Sequence, residues 1–338
     1  MTKPLLFKKY ESIGTNRRQK TIDHIIQSGF SCEWVSTLKI HGANYSFWYN
    51  GTELKTASRS GFIRDCENFY GDNNFNYDSN VKAMYEWLKA RHDFTTITVF
   101  GEIYGGVYNH VDVAVNTSAV KVQKEVQYRP DNDFIVFDIK CDDEYIGWDL
   151  LREVCLVSGF SHVPELGRGA FADLLNLPVN FADPLHKELG LPTIDNNLAE
   201  GWVLKPLEKA LFFNSGDRVI VKGKSDKMQE KSKPAKPSGD ILLLSAEGKN
   251  LCVQLLSYLT ESRLKNVISH GAFEVTQKCF GRLTGAFSQD AFQDFLKDFE
   301  DVFNMLEKKE QSAIKKTMNN EAGNIIRPNF VNIIDGLY

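Results

Sequence analysis

Lys39-Ile40-His41-Gly42-Ala43-Asn44 is the stretch from which the rest of this chain can be read. It follows a run, Glu33-Trp34-Val35-Ser36-Thr37-Leu38, whose β-branched and apolar content predicts a strand. A glycine three residues after the lysine lets the backbone turn tightly. Lysine is one of the few side chains that attacks an electrophile and keeps it as a stable nitrogen-linked intermediate. A free lysine has a pKa of about 10.4, so a nucleophilic Lys39 needs burial or neighbouring cations to release its proton. Lys205, Lys222 and Lys224 are the candidate cations. His41 falls on the same side of an extended path as Lys39 and is placed to meet departing phosphates. Asn44 is a candidate for a phosphate oxygen or a ribose.

Outward from this element, further chemistry-bearing residues follow in order. Asn50-Gly51 between Tyr45–Tyr49 and Glu53–Ala57 predicts a hairpin with these two residues at its centre. Arg59, in Ser58-Arg59-Ser60-Gly61, carries a planar fork suited to a phosphate. Spacing of Val81, Met84, Tyr85 and Leu88 predicts an amphipathic helix over 81–91. Strands are expected at 96–102, 133–140, 201–205 and 218–222. Glu102 ends Phe100-Gly101-Glu102, where a carboxylate can accept from ribose hydroxyls. Phe137 offers a ring face to a base. Asp138 and Glu200 are candidate magnesium carboxylates; that ion takes few protein carboxylates and keeps waters and phosphate oxygens. Lys222 and Lys224 alternate by two, so a strand presents both on one face, where they would stabilise charge on a transferring phosphoryl group.

Composition bounds the reading. The 338 residues suffice for two domains, and 42% hydrophobic with 25% charged residues is ordinary for a globular chain. A net charge of −4 means that any nucleic-acid contact must come from local patches. Six scattered cysteines without a Cys-x-x-Cys pair read as reduced thiols. With no signal-peptide core after Met1-Thr2-Lys3-Pro4 and no long apolar run, a cytoplasmic, non-membrane protein is expected. A lysine-rich stretch from Lys222 to Pro237, broken by Pro234 and Pro237, reads as a basic linker. Beyond it, Leu251, Leu255 and Leu259, then Phe292, Phe295, Phe299, Val302, Phe303 and Leu306, recur at helical spacing. The expected domains are residues 1–231, a linker at 232–240, and an all-α unit at 241–338.

The ordered set, Lys39-Ile40-His41-Gly42, Phe100-Gly101-Glu102, Phe137-Asp138, Glu200-Gly201-Trp202-Val203-Leu204-Lys205 and Lys222-Gly223-Lys224, resembles the covalent lysine nucleotidyltransferases. Within them it is most similar to the phage RNA ligase 2 type, to which the trypanosome RNA-editing ligases are related. The resemblance begins at Phe7-Lys8-Lys9-Tyr10 and runs to the linker. It implies an α+β fold: an N-terminal, ATP-grasp-like nucleotidyltransferase domain of antiparallel sheets, plus a small all-α C-terminal domain. It implies three nucleotidyl transfers: Lys39 takes AMP from ATP, AMP passes to an RNA 5′-phosphate, and a 3′-hydroxyl displaces it. By the same resemblance, His41, Lys222 and Lys224 belong to the catalytic set, and Ile40, Asn44, Arg59, Glu102, Phe137 and Lys205 to the nucleotide site. Glu200 and Asp138 would serve Mg²⁺, with Mn²⁺ as an alternative. The expected partner is nicked double-stranded RNA or an RNA–DNA hybrid, met by a monomer, in RNA repair and, for a viral chain, in a phage-infected cell. Ser58 departs from relatives that carry a second basic residue there, which puts the hold on RNA in question. In the C-terminal unit, Arg263 with Asp290 and Asp294 matches a segment that supports sealing, although a solvent-facing acidic pair reads equally well. Two other readings compete: a DNA ligase or capping enzyme, which would continue into a β-barrel, and a binding module without catalysis.

Overall fold

The computed structural model describes residues 3–16, 19–64, 68–123, 125–225, 244–270, 276 and 278–335. The predicted linker at 232–240 and Cys66 lie outside them. The chain divides into two compact units, Met1–Met228 and Gln229–Tyr338. No helix among the described residues is long and apolar enough to cross a membrane.

Two sheets build the first unit. In the five-stranded sheet the order is Gly14–Thr15, Val221–Lys224, Gly201–Pro206, Trp34–Lys39 and Glu165–Gly169, antiparallel except for the first pair. The six-stranded sheet runs Leu54–Ser58, Ala43–Tyr49, Ile97–Val107, Arg129–Cys141 and Glu144–Tyr145, with Ser161–His162 alongside Arg129–Cys141. Strands are present near each predicted position; the one expected at 96–102 runs on to Val107, and the one expected at 218–222 lies later, at Val221–Lys224. The helix expected at 81–91 spans Asp78–Lys89 and buries Val81, Met84, Tyr85 and Leu88. One apolar core joins the sheets, with Val35 and Leu38 from the first meeting Tyr45, Ile103 and Ile135 from the second.

The element Lys39–Asn44 is the crossover between these sheets. Lys39 is the last residue of its strand rather than the residue after it, and Ala43 opens the next strand in the other sheet. The glycine is needed for proximity. A Cβ on Gly42 would sit 2.2 Å from the Ile103 carbonyl oxygen, so only glycine lets the crossover lie flat on the neighbouring strand. The hairpin exists, but its turn is shifted by one residue from expectation. Gly51 and Thr52 are central, Gly51 at φ 88°, while the Asn50 side chain accepts from the amides of Thr52 and Glu53. Glycine at the first central position is the primed turn that suits strand twist.

The described part of the second unit is helical: Ala246–Leu256, Glu261–His270, Phe280–Met305 and Lys308–Ile334. Leu251, Leu255, Phe292, Phe295 and Phe303 are buried together, as the spacing predicts, and the long helix breaks its regular geometry at Phe299. Arg263, expected to serve RNA, is instead almost fully buried. Its guanidinium donates to Asp290, to Asp294 at 2.7 Å and to the Tyr258 carbonyl at 2.9 Å. Burial works against ionisation of Asp294, but Arg263 and Lys297 outweigh it and hold the carboxyl well below the usual range. The three residues form an internal clamp between helices, because a buried guanidinium requires carboxylate partners. Replacing the arginine alone breaks that clamp. Arg263→Ala is expected to lower the stability of the helical unit by about 3 kcal/mol, the low end for breaking a buried pair, since both aspartates can turn to water. Urea unfolding of the full chain, followed by tryptophan-independent far-UV signal, measures it; an unchanged midpoint would show the clamp to be ornamental.

Candidate active site

Sheet register brings the separated lysines together. Gly201 pairs with Lys39 on one side and with Lys224 on the other. With no side chain between them, both lysines reach the carboxylate of the preceding residue. Lys39 Nζ donates to Glu200 Oε2 at 2.8 Å, and Lys224 Nζ lies 3.1 Å from Oε1. The Glu200 side chain is only 3% exposed. Burial opposes its charge, but Lys39, Lys224 and His41 prevail and hold its carboxyl well below the ordinary range. His41 Nδ1 is 3.8 Å from the same carboxylate. As the alternation predicts, Lys222 and Lys224 share one face of Val221–Lys224, while Val221 and Gly223 point to the buried side.

Beside this cluster a cleft opens to solvent. Lys39, Ile40, Asn44, Arg59, Glu102, Phe137, Asp138, Lys205 and Lys222 all line it. His41, Glu200 and Lys224 stand at the ion cluster and not on this wall. Phe137 reaches the cleft through a β-bulge: Phe100 pairs with Asp138 and Gly101 with Val136, so Phe137 is the extra residue. Its ring is met edge-on by Tyr10 at 5.2 Å. Asn44 and Glu102 are directly paired across two strands. Burial pushes the Glu102 carboxyl up to about 8; the Glu200 charge adds to the rise, while Lys39, Arg59 and the Asn44 hydrogen bond oppose it. Arg59 rides on a turn that Ser58 builds, its hydroxyl accepting from the Ser60 amide and donating to the Gly61 carbonyl. A small hydroxyl therefore has a structural task at the position where a basic residue was missing.

Asp138 corrects an expectation. It is 2% exposed, and both oxygens are taken: Oδ1 accepts from Lys205 at 2.7 Å, and Oδ2 from Arg218 at 2.8 Å and from the Tyr10 hydroxyl. Burial resists this charge, yet Arg218 and Lys205 hold the carboxyl well below its usual range. Burial in turn pushes the Lys205 ammonium down, against the pull of Asp138. Asp138 is thus the anchor of Lys205 and is not free to bind a metal. Lys205 also donates to the Phe137 carbonyl at 2.6 Å, which fixes the bulge. Among the described residues, no group of three or more His, Cys, Asp or Glu could hold a metal ion. Glu200 is also paired on both oxygens, by Lys39 and Lys224, so a cation would reach it only once a lysine has moved off.

Sequence reasoning missed Arg218, Glu125 and Tyr128. Glu125 Oε2 lies 3.2 Å from His41 Nε2, and the Tyr128 hydroxyl accepts from the His41 amide at 2.8 Å. Glu125, set among Lys121, Lys124 and Arg129, carried no distinguishing signal in the sequence.

An RNA ligase family model matches residues 32–224, which contain every strand that bears on this cleft except Gly14–Thr15. The chain belongs to the RNA ligase family. A second model, T4 RNA ligase 2 C-terminal, matches residues 243–324, so the ligase is of the T4 RNA ligase 2 type. The mitochondrial RNA-editing ligase 2 of Trypanosoma brucei brucei is 26% identical over 87% of this chain and 84% of its own length. Among solved structures, a Naegleria gruberi RNA ligase variant with AMP and Mn is 15% identical, with a TM-score of 0.47, over 67% of this chain and 58% of that one. The same ligase with PPi is 16% identical, with a TM-score of 0.43 and the same coverage. The chain thus spans less than two thirds of the Naegleria proteins.

The raised Glu102 carboxyl yields a pH test. The unfolded chain loses this proton near 4.5, the folded one near 8, so the folded state binds the extra proton between those values. This contribution is complete below 4.5 and is lost as pH rises through 8, by at most about 1.4 kcal/mol per pH unit. Glu102→Gln removes it. Urea unfolding at pH 5, 6.5 and 8 should show the variant gaining on wild type at each step; parallel curves would mean that Glu102 is ionised in the folded protein.

Proposed function

We propose that this ligase joins a 3′-hydroxyl to a 5′-phosphate at nicks in duplex RNA or RNA–DNA hybrids, through lysyl-AMP on Lys39 and an adenylated RNA end. The observation that carries the reading is Lys39, ion-paired with Glu200 and lining one cleft with Lys222, Arg59 and Phe137. A base stacks on Phe137, whose position Lys205 fixes. Glu102 and Asn44 meet the ribose. Arg59, Lys222 and Lys224 hold the phosphates, and Lys222 and Lys224 oppose the charge that grows on the α-phosphate as Lys39 Nζ attacks it. The N–P bond forms, the bond to the β-phosphate oxygen breaks, and pyrophosphate leaves past His41. Magnesium, or manganese in its place, would be held through Glu200 and supply neutralisation of the phosphate charge. The 5′-phosphate of RNA then takes AMP from Lys39, and the 3′-hydroxyl of the adjoining strand displaces it.

The helical second unit favours this reading over a DNA ligase or capping enzyme, which would carry a β-barrel there. It also bears on substrate choice, because duplex RNA is read by shape and 2′-hydroxyls and not by a short motif. Full-length protein, first stripped of bound AMP with pyrophosphate, should take a covalent label from α-phosphate-labelled ATP and a divalent cation, and Lys39→Ala should fall to background on a denaturing gel. The labelled enzyme should then seal a nicked duplex whose 3′-hydroxyl strand is RNA. Label without sealing would refute the substrate; labelling of the alanine variant would refute the nucleophile.

A further inference from the structure

We infer that Glu125 is a positioning residue for His41 in the first nucleotidyl transfer. This rests on the reading above, in which His41 lines the exit of pyrophosphate. The segment Val122–Tyr128 grips the crossover at three points. Gln123 Nε2 donates to the Gly42 carbonyl at 3.2 Å, the Tyr128 hydroxyl accepts from the His41 amide at 2.8 Å, and Glu125 Oε2 meets His41 Nε2 at 3.2 Å. The first two contacts hold the backbone; the third holds the ring. A carboxylate only accepts, so Nε2 carries the hydrogen, and the other nitrogen is turned toward Glu200 and Lys39.

The grip is itself tied to the ion cluster. Asn197, three residues before Glu200, accepts from the Gln127 amide at 2.9 Å and donates to the Gln127 carbonyl at 2.7 Å. Both carboxylates that flank the imidazole are therefore fixed relative to one another. His41 is 20% exposed, and without the Glu125 contact its ring could rotate away from the exit path. Around metal-bound imidazoles, partners that orient the ring cost about 10- to 100-fold when removed, and the same order is expected here. The expected role is in rate, with little effect on nucleotide binding.

Rapid-quench labelling of AMP-free, full-length protein at varied ATP tests this with wild type, Glu125→Ala, Glu125→Gln, His41→Ala and the double alanine variant. Glu125→Ala should slow the maximal rate of label by about 10- to 100-fold. Its half-saturating ATP should stay within about threefold of wild type, since the residue makes no nucleotide contact. Glu125→Gln should recover most of the rate, because its amide oxygen still accepts from Nε2. The double variant should be no slower than His41→Ala, as expected for residues that act as one unit. A wild-type rate in Glu125→Ala, a glutamine variant as slow as alanine, or multiplying defects would overturn the inference while leaving lysyl-AMP chemistry intact. No label on wild type would overturn that chemistry and this inference with it.

Discussion

A single buried carboxylate, Glu200, fixes where the charge of this site sits. It is shielded from water and shared by Lys39 and Lys224, whose strands are brought to it by the strand that begins at Gly201. A buried carboxylate is stable only when its charge is matched, and matching it here takes groups from two strands and the crossover. The same pairing restricts what Glu200 can do. Its carboxyl is held far below the ordinary range, so it is too weak a base to take the Lys39 proton. Glu200 therefore places the lysine without activating it. In the proposed reaction, the proton must leave toward water or phosphate once the nucleotide has drawn Lys39 off the carboxylate.

A second buried ion group stands behind the cleft and works differently. Asp138 joins Lys205, Arg218 and the Tyr10 hydroxyl, and none of its oxygens faces the cleft free of a partner. Arg218 also lies over the Tyr145 ring at 3.7 Å, and Tyr145 is bonded to Glu11. The N-terminal segment is fastened to the cleft wall by these contacts. Phe137 and Asp138 are adjacent, yet both line the cleft. Simple alternation would send them to opposite faces, and the extra residue in the strand brings both to one side.

Much of this was legible in the chain, for identifiable reasons. The strand before Lys39 has β-branched residues and ends at a charge; Lys222 and Lys224 alternate by two; Phe292, Phe295 and Phe303 repeat at helical spacing. Each is a local pattern. What could not be read is what depends on pairing between distant segments. Nothing near Lys39 announces that Gly201 will place Lys224 beside it. Asp138 read as a metal ligand because a carboxylate beside an aromatic in such a series suggests one; its capture depends on Arg218, 80 positions away. Arg263 read as a nucleic-acid contact because its segment resembles one that supports sealing, whereas its partners Asp290 and Asp294 come from another helix. The turn at Gly51 moved by one residue because the Asn50 side chain prefers to cap the following amides.

The crossover explains why so few residues decide the site. Lys39 belongs to one sheet and Asn44 to the other, and only Ile40, His41, Gly42 and Ala43 lie between them. Proposed phosphate and nucleophile groups, Lys39, Lys222 and Lys224, come from the five-stranded sheet. The proposed base and ribose contacts, Phe137, Glu102 and Asn44, come from the six-stranded one. Their separation is therefore set by how the two sheets pack, and Ile40, 3% exposed, belongs to the core that joins them while also lining the cleft. A packed core yields little when its volume changes. In the proposed reading Ile40 would thus act on the nucleotide through the spacing of the sheets as much as through contact, and the tight approach at Gly42 removes the remaining freedom of the turn.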